Sequence, residues 1–235
     1  MARLSRNAIG SHWLHRFRHL AGSSQEQDMN ITLIGYGNMG SAIAKRALAA
    51  GHQVTLAGQD AAKAQAAAQA VGSGWATVAT AVASADLVIL ATPFGAAEAV
   101  VRAAGGLAGK VVIDISNPVT ADFSGLAIGH TTSAAEEIQR LAPQAAVVKA
   151  FNTVFAQMFD GSAEVGGRPL QVFTASDDAA ARQQVGDFIT SLGYAAVDAG
   201  PLRNARLLEP LGMLNITFGY HLGRGTGIAP AWLAR

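Results

Sequence analysis

Three glycines spaced as Gly35-Tyr36-Gly37-Asn38-Met39-Gly40 follow the apolar run Ile31-Thr32-Leu33-Ile34 and open a stretch with helical periodicity. A chain of this composition has many glycines, so the spacing gains meaning from its place between strand and helix. Each glycine there answers a chemical need. Gly35 permits the tight turn, Gly37 lets the backbone approach a pyrophosphate with no Cβ in the way, and Gly40 lets helix and strand pack closely. A helix that starts at such a turn presents unpaired N–H groups and a partial positive charge to phosphate oxygens. The pattern predicts a dinucleotide site.

The end of the second strand, residues 54–57, reports on the kind of dinucleotide. A site selective for NAD ends this strand with an acid that takes the ribose 2′-hydroxyl, whereas one for NADP brings an arginine or similar cation. Here the corner reads Ala57-Gly58-Gln59-Asp60-Ala61-Ala62-Lys63. Asp60 comes about three residues after the strand and suits a helix N-cap. Gly58 is expected to leave space where an acid would repel a 2′-phosphate, and Lys63, one turn on, reaches it as a point charge. The corner leans towards NADP, with NAD still admissible. A preference of about tenfold for NADPH is expected, carried by Lys63, Gln59 and backbone N–H groups.

Other chemistry is thinly represented. Outside residues 1–28 there are three histidines: His52 in a strand-entry turn, His130 in a loop and His221 near the end of the last helix. None has a partner at catalytic spacing, and structural or solvated roles are expected. No Tyr-x-x-x-Lys pair, no G-x-S-x-G turn and no metal-ligand spacing occurs, so no catalytic residue and no metal site are assigned. Cysteine is absent, which excludes disulfides and thiolate chemistry and is compatible with the cytosol, the expected location. Lys149 ends an apolar strand and must find a partner if buried. It either contacts the cofactor or pairs with Glu209 or Asp114. Asp114, Asn117 and Glu209 also fall near strand or helix ends, where they can support the site.

These residues are positioned by a regular alternation. Apolar runs at 31–34, 54–57, 87–91, 111–115 and 146–151 alternate with helical stretches at 41–50, 61–70, 96–104 and 133–141. Strands apolar throughout, separated by helices, mean a parallel sheet covered on both faces. The alternation continues with a strand at 170–174, a helix at 178–192, a strand at 195–198 and a long helix at 202–222 that Pro210 should kink. The glycine-rich stretch 161–168 is the expected boundary loop. The fold class is therefore α/β: a Rossmann-type doubly wound parallel sheet over 29–160, with a small C-terminal α/β extension over 161–235 that completes the acceptor site.

The chain has 235 residues, 50% hydrophobic and 14% charged, with a formal net charge of +1. That balance excludes a disordered chain, and near-neutrality offers no broad electrostatic footprint for nucleic acid. No apolar run approaches the roughly 18–20 residues of a membrane-spanning helix. Residues 1–28 differ from the rest, with four arginines against Glu26 and Asp28. They are expected to be a loose, dispensable arm.

Several stretches resemble one family, the NADP-dependent reductases of the deazaflavin coenzyme F-420. They are residues 31–40, Asp86-Leu87-Val88-Ile89-Leu90-Ala91-Thr92-Pro93-Phe94, Val112-Ile113-Asp114-Ile115-Ser116-Asn117-Pro118, Val148-Lys149-Ala150-Phe151-Asn152-Thr153, and the tail from Asp198-Ala199-Gly200-Pro201-Leu202 to Glu209. The similarity covers about residues 30–225. It extends to the oxidoreductase domain of STEAP-type ferric reductases. The resemblance implies NADPH across the glycine turn and hydride transfer to a flavin or deazaflavin (coenzyme F-420) acceptor, a small-molecule partner, in a protein that can form a homodimer. By position Tyr36, Asn38 and Met39 would line the pyrophosphate. Ala91, Thr92 and Pro93 would pass over the nicotinamide ribose, Asn152 and Thr153 would lie near the nicotinamide, and Asn117 is also counted among the cofactor-binding residues. Two departures stand out. The Ser-Arg pair that holds the 2′-phosphate in the reductases is Gly58-Gln59 here, and Asn152 stands where archaeal members have histidine. Two further readings stay open: a dehydrogenase or reductase of a small imine or hydroxy acid, with Lys149 as its acid, and a non-catalytic redox sensor. A chain starting at Met29 is expected to fold and bind cofactor like the full chain, and comparing melting temperatures of the two checks this.

Overall fold

The computed structural model describes residues 28–233. The arm expected at 1–28 thus falls outside the described residues except for Asp28. Six parallel strands form the central sheet: β1 (Asn30–Ile34), β2 (Gln53–Ala57), β3 (Gly74–Ala76), β4 (Leu87–Leu90), β5 (Val111–Asp114) and β6 (Ala146–Lys149). Their spatial order is β3-β2-β1-β4-β5-β6. Helices α1 (Asn38–Ala49), α2 (Ala61–Val71), α3 (Val78–Ser84), α4 (Ala97–Ala103) and α5 (Ala134–Leu141) connect them. Because the chain turns outwards in both directions from the β1–β4 pair, the carboxyl ends of these two strands form the switch point where α/β sheets bind ligands.

The strands are apolar throughout because both faces are covered. Leu33, Leu56, Ile89, Ile113 and Val148 have no exposed surface. One face buries them under Ile43, Ala44 and Ala47 of α1 and the helix α6 (Ala179–Ser191); the other packs α3, α4 and α5. Burial of this kind is the main stabilising term, at about 25 cal/mol per Å² of apolar surface.

Residues beyond 160 share that core. Strands β9 (Gln171–Thr174) and β10 (Ala195–Asp198) pair in parallel, and Ala175 bridges Lys149 at the end of β6. Val185, Phe188 and Ile189 of α6 pack into the same cluster as Ile31 and Leu33. The last helix, α7 (Ala205–Ile216), is tied to α5 by an ion pair between Arg206 Nη2 and Glu136 Oε1, 2.6 Å.

Three local expectations change. The long helix at 202–222 is a 3-10 turn (Leu202–Asn204), then α7, then a π-helical turn (Thr217–His221). The glycine-rich loop holds a hairpin, β7 (Glu164–Val165) with β8 (Arg168–Pro169), turned by Gly166 and Gly167, both at positive φ. Two consecutive residues at positive φ give the twist a two-residue hairpin needs. β3 and α3 were too short and too alanine-rich to show periodicity.

Gly35 has φ +111°, and a Cβ there would lie 2.4 Å from the Ala91 carbonyl oxygen, whereas a Cβ on Gly37 meets nothing within 4 Å. Gly35→Ala is therefore expected to cost at least about 1–3 kcal/mol of stability, and Gly37→Ala to stay within about 0.5 kcal/mol. Urea unfolding midpoints of the two variants check the contrast.

Candidate functional site

The turn after β1 is built for an anion. Gly37 is the N-cap of α1, and no side chain caps the helix. By contrast α2, α3, α5 and α6 are capped by Asp60, Thr77, Ser133 and Asp178. The first N–H groups of α1 thus face outward without an internal acceptor, over a glycine with open space where a side chain would be. Close packing holds the turn behind them. A Cβ on Gly40 would sit 2.2 Å from the Gly35 carbonyl oxygen and 3.2 Å from the Ala91 Cβ. Thr92 and Pro93 continue from Ala91 at the end of β4, with the Thr92 Cγ2 against Gly35. The Ser41 hydroxyl donates to the Tyr36 carbonyl at 3.1 Å.

The β2 corner differs from expectation. Gly58 leaves no open space: a Cβ there would fall 2.4 Å from Cε1 of Tyr36, because the tyrosine ring crosses from the glycine turn and lies on it. The Tyr36 side chain thus points to the β2 corner rather than to the first turn of α1. Asp60 caps α2, accepting from the Lys63 N–H at 3.1 Å, and its carboxylate pairs with Lys63 Nζ at 3.2 Å. These bonds hold the Asp60 carboxyl below its usual range, the Lys63 N–H contributing most. Gln59 is exposed. The Lys63–Asp60 pair is exposed too, and such pairs contribute little and open readily.

The other end of the turn meets a cleft of about 260 Å³. Asn38 and Met39, in the first turn of α1, form part of its wall, with Asn117 after β5 and Asn152 and Thr153 after β6. Asn117 and Asn152 interlock. Asn117 Nδ2 donates to the Asn152 carbonyl at 2.7 Å, and Asn152 Nδ2 donates to Asn117 Oδ1 at 2.9 Å and to the Leu208 carbonyl at 2.8 Å. Asn152 Oδ1 is buried with no partner. The preceding Phe151, fully buried, has φ +59°. An aromatic residue held there is strained backbone, of the sort that gathers at ligand sites.

Five residues foreseen from sequence thus share one cleft, while Tyr36, Gly58, Gln59 and Lys63 form a second cluster at the β2 corner. Residues from α7 and its π turn were not foreseen. Gly212, Asn215, Ile216 and Tyr220 close the cleft, with Phe155 and Gln157 beside them. A Cβ on Gly212 would lie 2.7 Å from Asn117 Oδ1 and 2.8 Å from the Asn152 carbonyl oxygen, and Asn215 Nδ2 donates to the Thr153 carbonyl at 3.1 Å. A small residue and a buried asparagine on the apolar face of a helix were the available signals.

Behind the cleft Lys149 is fully buried and fully engaged. Its Nζ lies 2.8 Å from Asp114 Oδ2, 2.8 Å from Glu209 Oε1 and 2.5 Å from the Ser116 carbonyl oxygen. An ammonium has three donors, and all three are used. The lysine therefore pairs with both acids and does not reach the cleft, so its candidacy as a proton donor falls. Glu209 also accepts the Ala134 and Ala135 N–H groups of α5 at 3.0 and 3.3 Å. Burial pushes its carboxyl above the usual range, and Lys149 opposes the shift. Of the histidines, His52 is buried with Nε2 2.7 Å from the Ser191 hydroxyl, while His130 and His221 are exposed. Among the described residues no helix is long and apolar enough to cross a membrane, and no group of acidic or histidine side chains could hold a metal ion.

A glycine turn at the switch point of a doubly wound sheet, opening on a polar cleft, defines a dinucleotide-binding α/β protein. Residues 30–118 match the family model "NADP oxidoreductase coenzyme F420-dependent". The crystal structure of a candidate F420-dependent NADP-reductase from Arthrobacter sp. FB24 is 31% identical, with TM-score 0.77, over 85% of this chain and 96% of that one. The hypothetical protein SMa0349 from Sinorhizobium meliloti is 30% identical, with TM-score 0.69, over 77% and 90%. The chain belongs to the coenzyme F420-dependent NADP oxidoreductase family. Rat metalloreductase STEAP3 is 33% identical over 105 residues, 45% of this chain but only 20% of that protein's length. A reductive aminase from Aspergillus terreus, 23% identical with TM-score 0.60, shares the fold.

Removing one partner of a buried charge network leaves the other charges uncompensated, at about 3–5 kcal/mol. Lys149→Met should therefore lower the melting temperature by roughly 10 °C, and adding Asp114→Asn with Glu209→Gln should restore most of it. An unchanged melting temperature with nucleotide binding lost would instead place the lysine on the ligand.

Proposed function

We propose that the chain binds NADP(H) across the glycine turn and passes a hydride between its nicotinamide and a flavin- or deazaflavin-type ring. The observation that carries this is the continuity of turn and cleft: Asn38 and Met39 belong both to the uncapped first turn of α1 and to the cleft wall. The residues fit the cofactor. The open face of Gly37 and the free N–H groups of α1 would hold the pyrophosphate, with Thr92 and Pro93 beside it. Asn152 and Thr153 would face the nicotinamide end. When bound, the nicotinamide supplies or accepts the hydride.

The cleft's chemistry favours a ring-to-ring transfer over imine or hydroxy-acid reduction. Its lining holds amides, Thr153, Tyr220 and apolar groups, and among the described residues no carboxylate, lysine, arginine or histidine. Reduction of a small imine or ketone needs a placed acid, and the one phenol on the wall, Tyr220, is mostly exposed to solvent rather than held in the cleft. Transfer between two rings needs chiefly that they be held together with water excluded, which rigid loops and apolar walls provide. NADPH is preferred over NADH by about tenfold, through a charge-assisted hydrogen bond at the β2 corner.

Two measurements test this. Mixing the protein with NADPH and a panel of flavins and deazaflavins should bleach the nicotinamide band with one of them. NADPH bound but oxidised by none would favour a redox sensor. Gly37→Val, which fills the open face, should weaken NADPH binding at least tenfold with little change in melting temperature, and unchanged affinity would move the phosphate site elsewhere.

A further inference from the structure

We propose that Tyr36 is the residue that reads the ribose 2′-substituent of the bound nucleotide, filling the role that a side chain at the end of the second strand has in the general dinucleotide fingerprint. This rests on the nucleotide site proposed above and adds the determinant of its specificity.

In that fingerprint the discriminating group projects from the end of β2. In this chain the strand end itself offers no such group, and Gln59 and Lys63 beyond it are exposed and not fixed by packing. Ala57 is buried, Gly58 has no side chain, and Asp60 is already committed to the Lys63 N–H and ammonium. The missing side chain is what admits the tyrosine. With a Cβ at residue 58 the ring would be met at 2.4 Å by Cε1 and 3.3 Å by Cδ1 and Cζ. The ring packs partly buried against the core, so it is a fixed part of the corner rather than a solvated side chain. Its hydroxyl arrives 3.5 Å from the Asp60 carbonyl oxygen. That is the outer limit of a hydrogen bond, and it leaves the phenol proton free for a better acceptor. Gly58 and Tyr36 are thus one device: the glycine makes the seat, and the tyrosine delivers a hydroxyl to the corner where the 2′-position is read.

A phenol has a definite signature as a reader. It both donates and accepts. It can donate to a 2′-phosphate or accept from a 2′-hydroxyl, repelling neither, whereas an acid excludes the phosphate. Donation to a dianion is the stronger bond, worth roughly 10- to 100-fold in affinity against 2- to 10-fold for a neutral partner. The preference for NADPH is therefore modest, with the Tyr36 hydroxyl as its fixed donor and the exposed Lys63 as a mobile contributor.

The experiment is a binding titration of NADPH, NADH and adenosine 2′,5′-bisphosphate, a probe that carries only the adenosine half. Tyr36→Phe keeps the ring on its seat and removes the hydroxyl. It should weaken NADPH and the bisphosphate about tenfold and NADH less than threefold, so the two dinucleotides become nearly equal. Gly58→Ala, which unseats the ring without touching the hydroxyl, should bring the two dinucleotides together in the same way. An unchanged NADPH-to-NADH ratio in both variants, with wild-type binding intact, overturns the role of Tyr36 alone. Tighter binding by Tyr36→Phe would show that the hydroxyl obstructs the corner and also overturns it. Failure of the wild type to bind either dinucleotide overturns the nucleotide site itself.

Discussion

A lysine with no exposed surface must be surrounded by acceptors or not be charged, and the constraint organises half of this molecule. The ligands of Lys149 come from separate places in the chain: Asp114 ends β5, Ser116 lies in the loop after it, and Glu209 projects from α7. Glu209 in turn accepts the first N–H groups of α5, so the carboxylate also answers a helix N-terminus. One ammonium thereby fixes the relative placement of β5, β6, α5 and α7. Such networks seldom add net stability over an apolar core of the same shape. What this one supplies is register. With α7 held, Gly212 and Asn215 sit against the Asn117 and Asn152 loops, and the cleft has its far wall.

Around that anchor the chain treats its helix ends in two ways. α2, α3, α5 and α6 satisfy theirs with Asp60, Thr77, Ser133 and Asp178, whereas α1, like α4 and α7, has no side-chain cap, and α1 alone among these described helices starts at a glycine with open space beside it. Capping by such side chains is worth about 0.5–2 kcal/mol, so an uncapped helix of twelve residues forgoes stability that four neighbours have taken. A bound anion would return it. The same trade appears at Phe151 and Asn152, where positive φ in a buried aromatic residue and an unpartnered amide oxygen stand together at the cleft.

Much of this was legible in the residues. Apolar strands of four or five residues, a glycine turn in its place and alternating helices dictated a parallel sheet with the site at its carboxyl edge. Asn38, Met39, Asn117, Asn152 and Thr153, singled out on their motifs, line one cleft there. What was hidden depends on contacts between residues distant in sequence. Pairing of Lys149 with Asp114 or Glu209 was one of two readings from sequence, and choosing it, with both acids engaged, requires knowing that α7 passes behind β6. That Gly58 is a seat for Tyr36 requires the ring's direction, which spacing does not encode. The hairpin at Glu164–Pro169 carried a local signal in Gly166-Gly167, obscured by the many glycines around it, whereas the break of the last helix at Ile216 followed from no single residue.

The two ends of the site are built on different physical terms, and this bears on how the chain can be altered. At the cleft, packing is close enough that one added carbon on Gly212 meets two asparagine atoms and a carbonyl. Its geometry is over-determined, and changes there propagate through α7 to the buried charges. At the β2 corner, Gln59 and Lys63 are exposed and can be replaced without touching the core, whereas the Tyr36 ring packs against it. The surface of the corner can therefore be altered with little cost in stability, while the shape of the cleft is held by the fold.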